Sequence, residues 1–212
     1  MSPRPPQFLV ATLLALTSVA PVAAGHPAHE VWLGIGGAAS SEKNIFNVAS
    51  DIKSQPEFVI SLGYMHNLDA QKAVGFHFYG GIETTPSFFV SGPSGTQSTT
   101  FELSTYNIGA RYRQTLFRGR IAPYVFVGAS LATGSIESGT TGRLDYTGVS
   151  ACVGPGAAVS LGKNFMMSAE LFGSLGSAKW KERPFANSTD DKFDPSLLGG
   201  TVNFSVVWGQ KQ

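Results

Sequence analysis

From Tyr106 to Leu131 the chain alternates two kinds of side chain, and few folds accept that alternation. Tyr106, Ile108, Ala110 and Tyr112 are interleaved with Asn107, Gly109, Arg111 and Arg113, the period of a strand whose two faces meet different surroundings. Phe117-Arg118-Gly119-Arg120 reads as a tight turn. Pro123 then falls near a strand start, where its missing N–H least disturbs pairing. A second strand continues through Val125, Val127, Ala129 and Leu131. The apolar face carries large aromatics, while the other mixes glycine with charged and amide groups. Such inversion fits a barrel with lipid outside and packed polar groups inside.

Composition narrows the choice further. Charged residues are 14% of the 212, against about 25% in ordinary globular domains. A formal charge of +1 with no Lys/Arg run excludes the electrostatic footprint of a nucleic-acid binder. The single Cys152 has no disulfide or metal partner and reads as a small strand residue. Residues 1–24 read as a secretory signal peptide: Arg4 is the positive start, Phe8 to Ala20 the apolar core and Val22-Ala23-Ala24 the small-residue cleavage site. No later run approaches the roughly twenty apolar residues of a spanning helix, so residues 25–212 are expected to cross a membrane as strands.

The alternation recurs. Val31, Leu33 and Ile35 oppose Trp32, Gly34 and Gly36; Phe58, Ile60, Leu62 and Tyr64 oppose Val59, Ser61, Gly63 and Met65; Val74, Phe76 and Phe78 oppose Gly75, His77 and Tyr79. Beyond the Tyr106–Leu131 hairpin, Val149, Ala151 and Val153 oppose Ser150, Cys152 and Gly154. Phe165, Met167, Ala169 and Leu171 oppose Met166, Ser168, Glu170 and Phe172, and Leu198, Val202, Phe204, Val206 and Trp208 oppose Gly199, Thr201, Asn203, Ser205 and Gly209. Phe101 and Leu103 have the opposite parity to Ile108, which predicts a bulge or a late strand start.

Ser41–Gln55, Thr84–Ser98, Ala132–Thr147 and Lys179–Asp194 read as long loops, alternating with short turns. That alternation gives an all-β, eight-stranded antiparallel up-and-down transmembrane β-barrel, with the long loops at one end and the termini and short turns at the other. An eight-stranded interior is only wide enough for side chains to fill. Glycines on the inner face, including Gly63, Gly109 and Gly128, make room for His77, Tyr79, Arg111, Arg113 and Phe172. His77, Arg111 and Glu170 each lie about six residues from the nearest short turn, and so at similar depth. A poorly solvated lumen predicts that Arg111 and Glu170 pair with His77 nearby, alongside Arg113. Tyr64, Tyr112, Tyr124 and Trp208 are expected to form an aromatic girdle at the turn-side interface.

The segments YNIGARYR (Tyr106–Arg113), PYVFVGAS (Pro123–Ser130), GAAVSLGKN (Gly156–Asn164) and MSAELFGS (Met167–Ser174) resemble the eight-stranded outer-membrane β-barrel family, which holds OmpA-like transmembrane domains and opacity-type surface proteins. The resemblance covers nearly all of residues 25–212. It implies a bacterial outer-membrane location, insertion into outer-membrane lipid by the assembly machinery, and Arg111 and Glu170 in the lumen. It identifies an architecture and no single activity. The chain ends Trp208-Gly-Gln-Lys-Gln and not on the terminal aromatic usual for the family, and no peptidoglycan-binding domain is expected.

Chemical motifs are sparse. His26, His29 and Glu30 resemble the start of a metal site but lack further ligands, so no metal or other cofactor is expected. His77 with Ser61 or Ser168 would make a lipid hydrolase only with an exposed serine and an orienting acid. Asn187-Ser188-Thr189 matches a glycosylation acceptor only formally and reads as loop. The expected protein is a non-enzymatic, monomeric outer-membrane barrel with a polar plugged lumen. Four loops, carrying Phe46, Phe88, Phe89 and Phe185, meet a host or cell-surface partner. The rival readings are a lipid-modifying enzyme, a small-solute pore and a secreted soluble lipocalin-like barrel with its apolar face inside.

Overall fold

The computed structural model describes residues 27–43, 56–83, 87–92, 95–138, 142–181 and 192–210. They form nine strands: β1 (Pro27–Lys43), β2 (Pro56–Asn67), β3 (Lys72–Glu83), β4 (Ser87–Gly92), β5 (Gly95–Thr115), β6 (Ile121–Ser138), β7 (Gly142–Ser160), β8 (Phe165–Trp180) and β9 (Lys192–Gln210). Eight are staves of a closed antiparallel barrel. β3 pairs with β5 and β9 returns to β1, while β4 pairs only with the outer end of β5.

The register fixes the barrel's dimensions. Following paired Cα atoms from Val31 leads through Tyr64, Phe76, Ala110, Ala129, Ala151, Leu175 and Ser196 back to β1 at Ser41. The circuit closes ten residues from where it began. Eight strands with that stagger, at ordinary strand spacing and rise, tilt by about 40° and enclose a backbone cylinder of radius about 8 Å. Side chains fill such a space.

An even stagger keeps the two faces separate around the whole wall. Outside stand Leu33, Ile108, Leu131 (65% exposed), Val153, Leu175 (74%) and Phe204, an apolar band that lipid covers. Inside lie Trp32, Ser61, His77, Arg111, Phe126, Glu170 and Asn203, all buried. Two interior glycines show how tightly this packs. A Cβ on Gly63 would enter the Trp32 ring, and one on Gly128 would lie 2.8 Å from His77 Cε1.

Three details differ from expectation. The β5–β6 register runs unbroken from Phe101↔Ser138 to Thr115↔Tyr124, so the bulge expected near Phe101 is absent and the strand starts early. Ala132–Thr147, expected as a loop, is mostly ladder, because β6 continues to Ser138 and β7 starts at Gly142. Thr84–Ser98 contains the β4–β5 hairpin. All three have one cause. Above the lipid, strands can continue without an apolar outer face, so the hydropathy pattern ends before the hydrogen bonds do.

Two proline-containing gaps interrupt the wall. Between Val153↔Gly173 and Gly156↔Glu170 the β7–β8 pairing lapses at Pro155, and between Leu175↔Ser196 and Ala178↔Phe193 the β8–β9 pairing lapses at Pro195. Neither proline has an N–H to give the ladder. The expected signal peptide, His26, Phe46, Phe185 and Asn187-Ser188-Thr189 lie outside the described residues.

Candidate functional site

Two buried ion pairs stack in the lumen. Arg111 on β5 and Glu170 on β8 face each other across the barrel, 4% and 6% exposed. Arg111 donates from Nη2 to Glu170 Oε1 and from Nη1 to Glu170 Oε2 at 3.1 Å, a two-pronged contact. Further groups complete the cage. Arg111 Nη1 also donates to Tyr79 Oη at 3.1 Å, the Phe126 ring lies 3.8 Å from the guanidinium carbon, and Tyr124 Oη donates to Glu170 Oε1 at 2.6 Å.

The second pair lies nearer the short turns and was not anticipated from sequence. Arg113 Nη2 donates to Glu30 Oε2 at 2.6 Å and to Asn67 Oδ1 at 3.4 Å, and Ser205 Oγ donates to Glu30 Oε1 at 2.9 Å. Glu30 adjoins His29 at the start of the first strand. Its parity with Trp32 and Gly34 was the signal that it points inward.

His77 lies near the first pair without a hydrogen bond to it. Its Nε2 is 2.9 Å from Ser130 Oγ and 3.9 Å from Cys152 Sγ, and its Nδ1 is buried without a hydrogen-bond partner. Ser61 instead donates to Asn203 Oδ1 at 2.7 Å, while Asn203 Nδ2 donates to Ser168 Oγ at 3.4 Å. The hydrolase arrangement of His77 with Ser61 or Ser168 is therefore not assembled, and His77 has no orienting acid. The described residues contain no group of three or more His, Cys, Asp or Glu side chains able to hold a metal ion.

The outer girdle needs one correction. Tyr64, Tyr112 and Trp208 stand on the outward face near the short turns, but Tyr124 is 2% exposed and turned into the lumen. It shares parity with Phe126 and Gly128, opposite to Val125 and Val127, so a lipid-facing Tyr124 would require the whole strand to flip. His29 joins the outer group. Its Nδ1 lies 2.8 Å from Tyr64 Oη and its ring stacks on Trp208 with centroids 5.5 Å apart.

A closed eight-stave wall with an apolar exterior, an ion-paired interior and a rim of aromatics defines a transmembrane barrel of the bacterial outer membrane. Over residues 9–205 the chain matches the family described as "Outer membrane protein beta-barrel domain", and it belongs to that family. Among curated proteins no sequence relative matches. Among solved structures, Neisserial surface protein A is similar at 15% identity with a TM-score of 0.51, over 84% of this chain and 96% of that one. The Yersinia pestis attachment invasion locus protein, solved with a heparin analogue, is 15% identical over 82% and 98% of the two chains, with a TM-score of 0.43. For Escherichia coli outer membrane protein W the values are 13%, 84% and 98%, with a TM-score of 0.43. The likeness to Neisserial surface protein A, at 15% identity, shows the fold alone.

Proposed function

We propose that this barrel is a non-enzymatic, monomeric scaffold, inserted by the outer-membrane assembly machinery, whose loops opposite the short turns contact a host or cell-surface partner. The observation that carries this reading is the filled lumen. Arg111–Glu170 and Arg113–Glu30 occupy successive levels of a cylinder about 8 Å in radius, leaving the loops as the part free to vary. A buried pair inside so narrow a wall opposes steady solute flow, which disfavours the small-solute pore. The lipocalin-like alternative needs its apolar face inside, and here Leu131 and Leu175 point out. A lipid-modifying enzyme needs a nucleophile or acid toward lipid, and the outward group of His29, His66 and Tyr64 offers neither a serine nor a carboxylate.

The test pairs conductance with adhesion. Wild-type protein in planar bilayers should show negligible stable conductance. Cells displaying it should bind a host-cell or extracellular-matrix surface, and replacing residues 182–191 and 44–55 with short Gly-Ser linkers should abolish that binding without loss of the folded barrel. A large steady conductance would refute the plug, and unchanged binding after loop replacement would refute the loop assignment.

A further inference from the structure

The outer rim holds a pair of histidines that neither the lumen nor the loops explain. His29 on β1 and His66 on β2 are direct Cα partners across the ladder, and Trp208 on β9 is the partner of His29 on its other side. Both imidazoles are half-buried on the outward face, close to the turn at Leu68–Gln71 and so within reach of water. Their ring centroids are 5.0 Å apart, and the two Nδ1 atoms face each other at 3.4 Å.

That separation suits a metal bridge as well as a weak hydrogen bond. An N–H donor and its nitrogen acceptor normally sit nearer 3.0 Å, so 3.4 Å is long for a hydrogen bond. Two nitrogens at about 2.0–2.1 Å from a tetrahedral zinc ion are, by geometry, about 3.3–3.4 Å apart. The pair is also held in place. Trp208 stacks on His29 at an interplanar angle of 24°, and the Tyr64 ring lies 6.0 Å from it. Both donors rise from adjacent staves of a closed wall, so little side-chain ordering remains for binding to impose.

We propose that His29 and His66 form a surface site for a late first-row divalent cation such as Zn2+, with water completing the coordination. Each imidazole contributes Nδ1 in its neutral form. The Tyr64 hydroxyl, now on His29 Nδ1, moves to a water on the metal. Glu30, next in sequence to His29, takes no part because it is committed to Arg113 inside the barrel. Occupancy clamps β1 to β2 at the turn-side end, and a ligand that prefers the folded state raises stability by mass action. The site is independent of the loop function and survives its failure.

The experiment is calorimetric titration of ZnCl2 into metal-stripped, tag-free mature protein in detergent micelles near neutral pH. Saturable binding of one ion per barrel is expected. His29→Gln and His66→Gln should each weaken it by about tenfold or more, while His77→Gln in the lumen leaves it unchanged. Strand-rich circular dichroism confirms that the variants are folded. A second arm uses no substitution: Zn2+ should protect His29 and His66 from carbethoxylation by diethyl pyrocarbonate, read by peptide mass spectrometry. Absence of saturable binding by the wild type, wild-type affinity in both rim variants, or no protection of either ring overturns the site.

Discussion

Removing Glu170 tests the interior most directly. In Glu170→Ala the Arg111 guanidinium loses both carboxylate oxygens, and Tyr124 Oη loses its acceptor at 2.6 Å. Breaking one side of a buried ion pair costs about 3–5 kcal/mol, because an uncompensated charge stays in a poorly solvated place. Here Tyr79 Oη at 3.1 Å and the Phe126 ring at 3.8 Å remain around the cation, which puts the expected loss at the lower end, about 3 kcal/mol. Arg111→Met should cost a similar amount, since the Glu170 carboxylate then stays buried with only Tyr124 Oη to hold it. The double variant Arg111→Met/Glu170→Leu removes both charges for apolar groups and should sit within about 1–2 kcal/mol of wild type. Urea unfolding in lipid vesicles, followed by tryptophan fluorescence, gives the four free energies. A coupling of at least about 2 kcal/mol is expected. Strictly additive single-variant losses would refute the argument, because they would mean that the two side chains do not depend on each other.

Three further outcomes follow from other parts of the structure. Val202→Arg on the lipid face should destabilise by roughly 2–4 kcal/mol, whereas Thr201→Ser, buried on the opposite face, should be mild; equal tolerance in the same unfolding assay would overturn the facing assignment. Deleting Ser87–Gln97 removes most of the β4–β5 hairpin but spares the β3–β5 pairing from Leu103 onward, so membrane assembly should persist; heat-modifiable gel migration reads this, and loss of the folded band would assign the hairpin a structural task. Above the lipid band, the hydrogen bond from Arg143 Nε at 2.9 Å holds the exposed Asp145 carboxyl below the usual aspartate range. Its small stabilisation is present above the unfolded pKa and fades as pH falls through the folded one. A carboxyl NMR titration should therefore give a depressed midpoint that rises in Arg143→Gln, and an unchanged midpoint would show that the contact does not persist in solution.

Much of this molecule was legible because a barrel wall translates position into facing. Parity alone put Arg111 and Glu170 inside, and the count from the turns put them at one depth, where they meet. The same rule, applied without exception, turns both Tyr124 and Glu30 inward. Tyr124 departs from the girdle because parity outranks aromatic character near a strand end, and Glu30 is easily overlooked because it adjoins His29 at the start of the chain. What parity cannot give is azimuth. Which inner groups meet across the lumen depends on the ten-residue stagger, a sum of eight registers that no local pattern encodes. Strand length was hidden for a different reason. At Ala132–Ser138 and Gly142–Thr147 the backbone ladder continues beyond the lipid, where no apolar face announces it.

The two proline gaps fall on opposite edges of the same stave. β8 lacks part of its pairing to β7 around Pro155 and to β9 around Pro195, and on its lipid side a Cβ at Gly173 would meet nothing within 4 Å. In a closed wall each strand is ordinarily held by two complete seams, so β8 should be the first to admit solvent exchange at its amides. It is also the strand that carries Glu170. The carboxylate reaching to Arg111 on the far wall thus acts as an internal tie-rod, bracing from within the plank that its neighbours grip least from the sides.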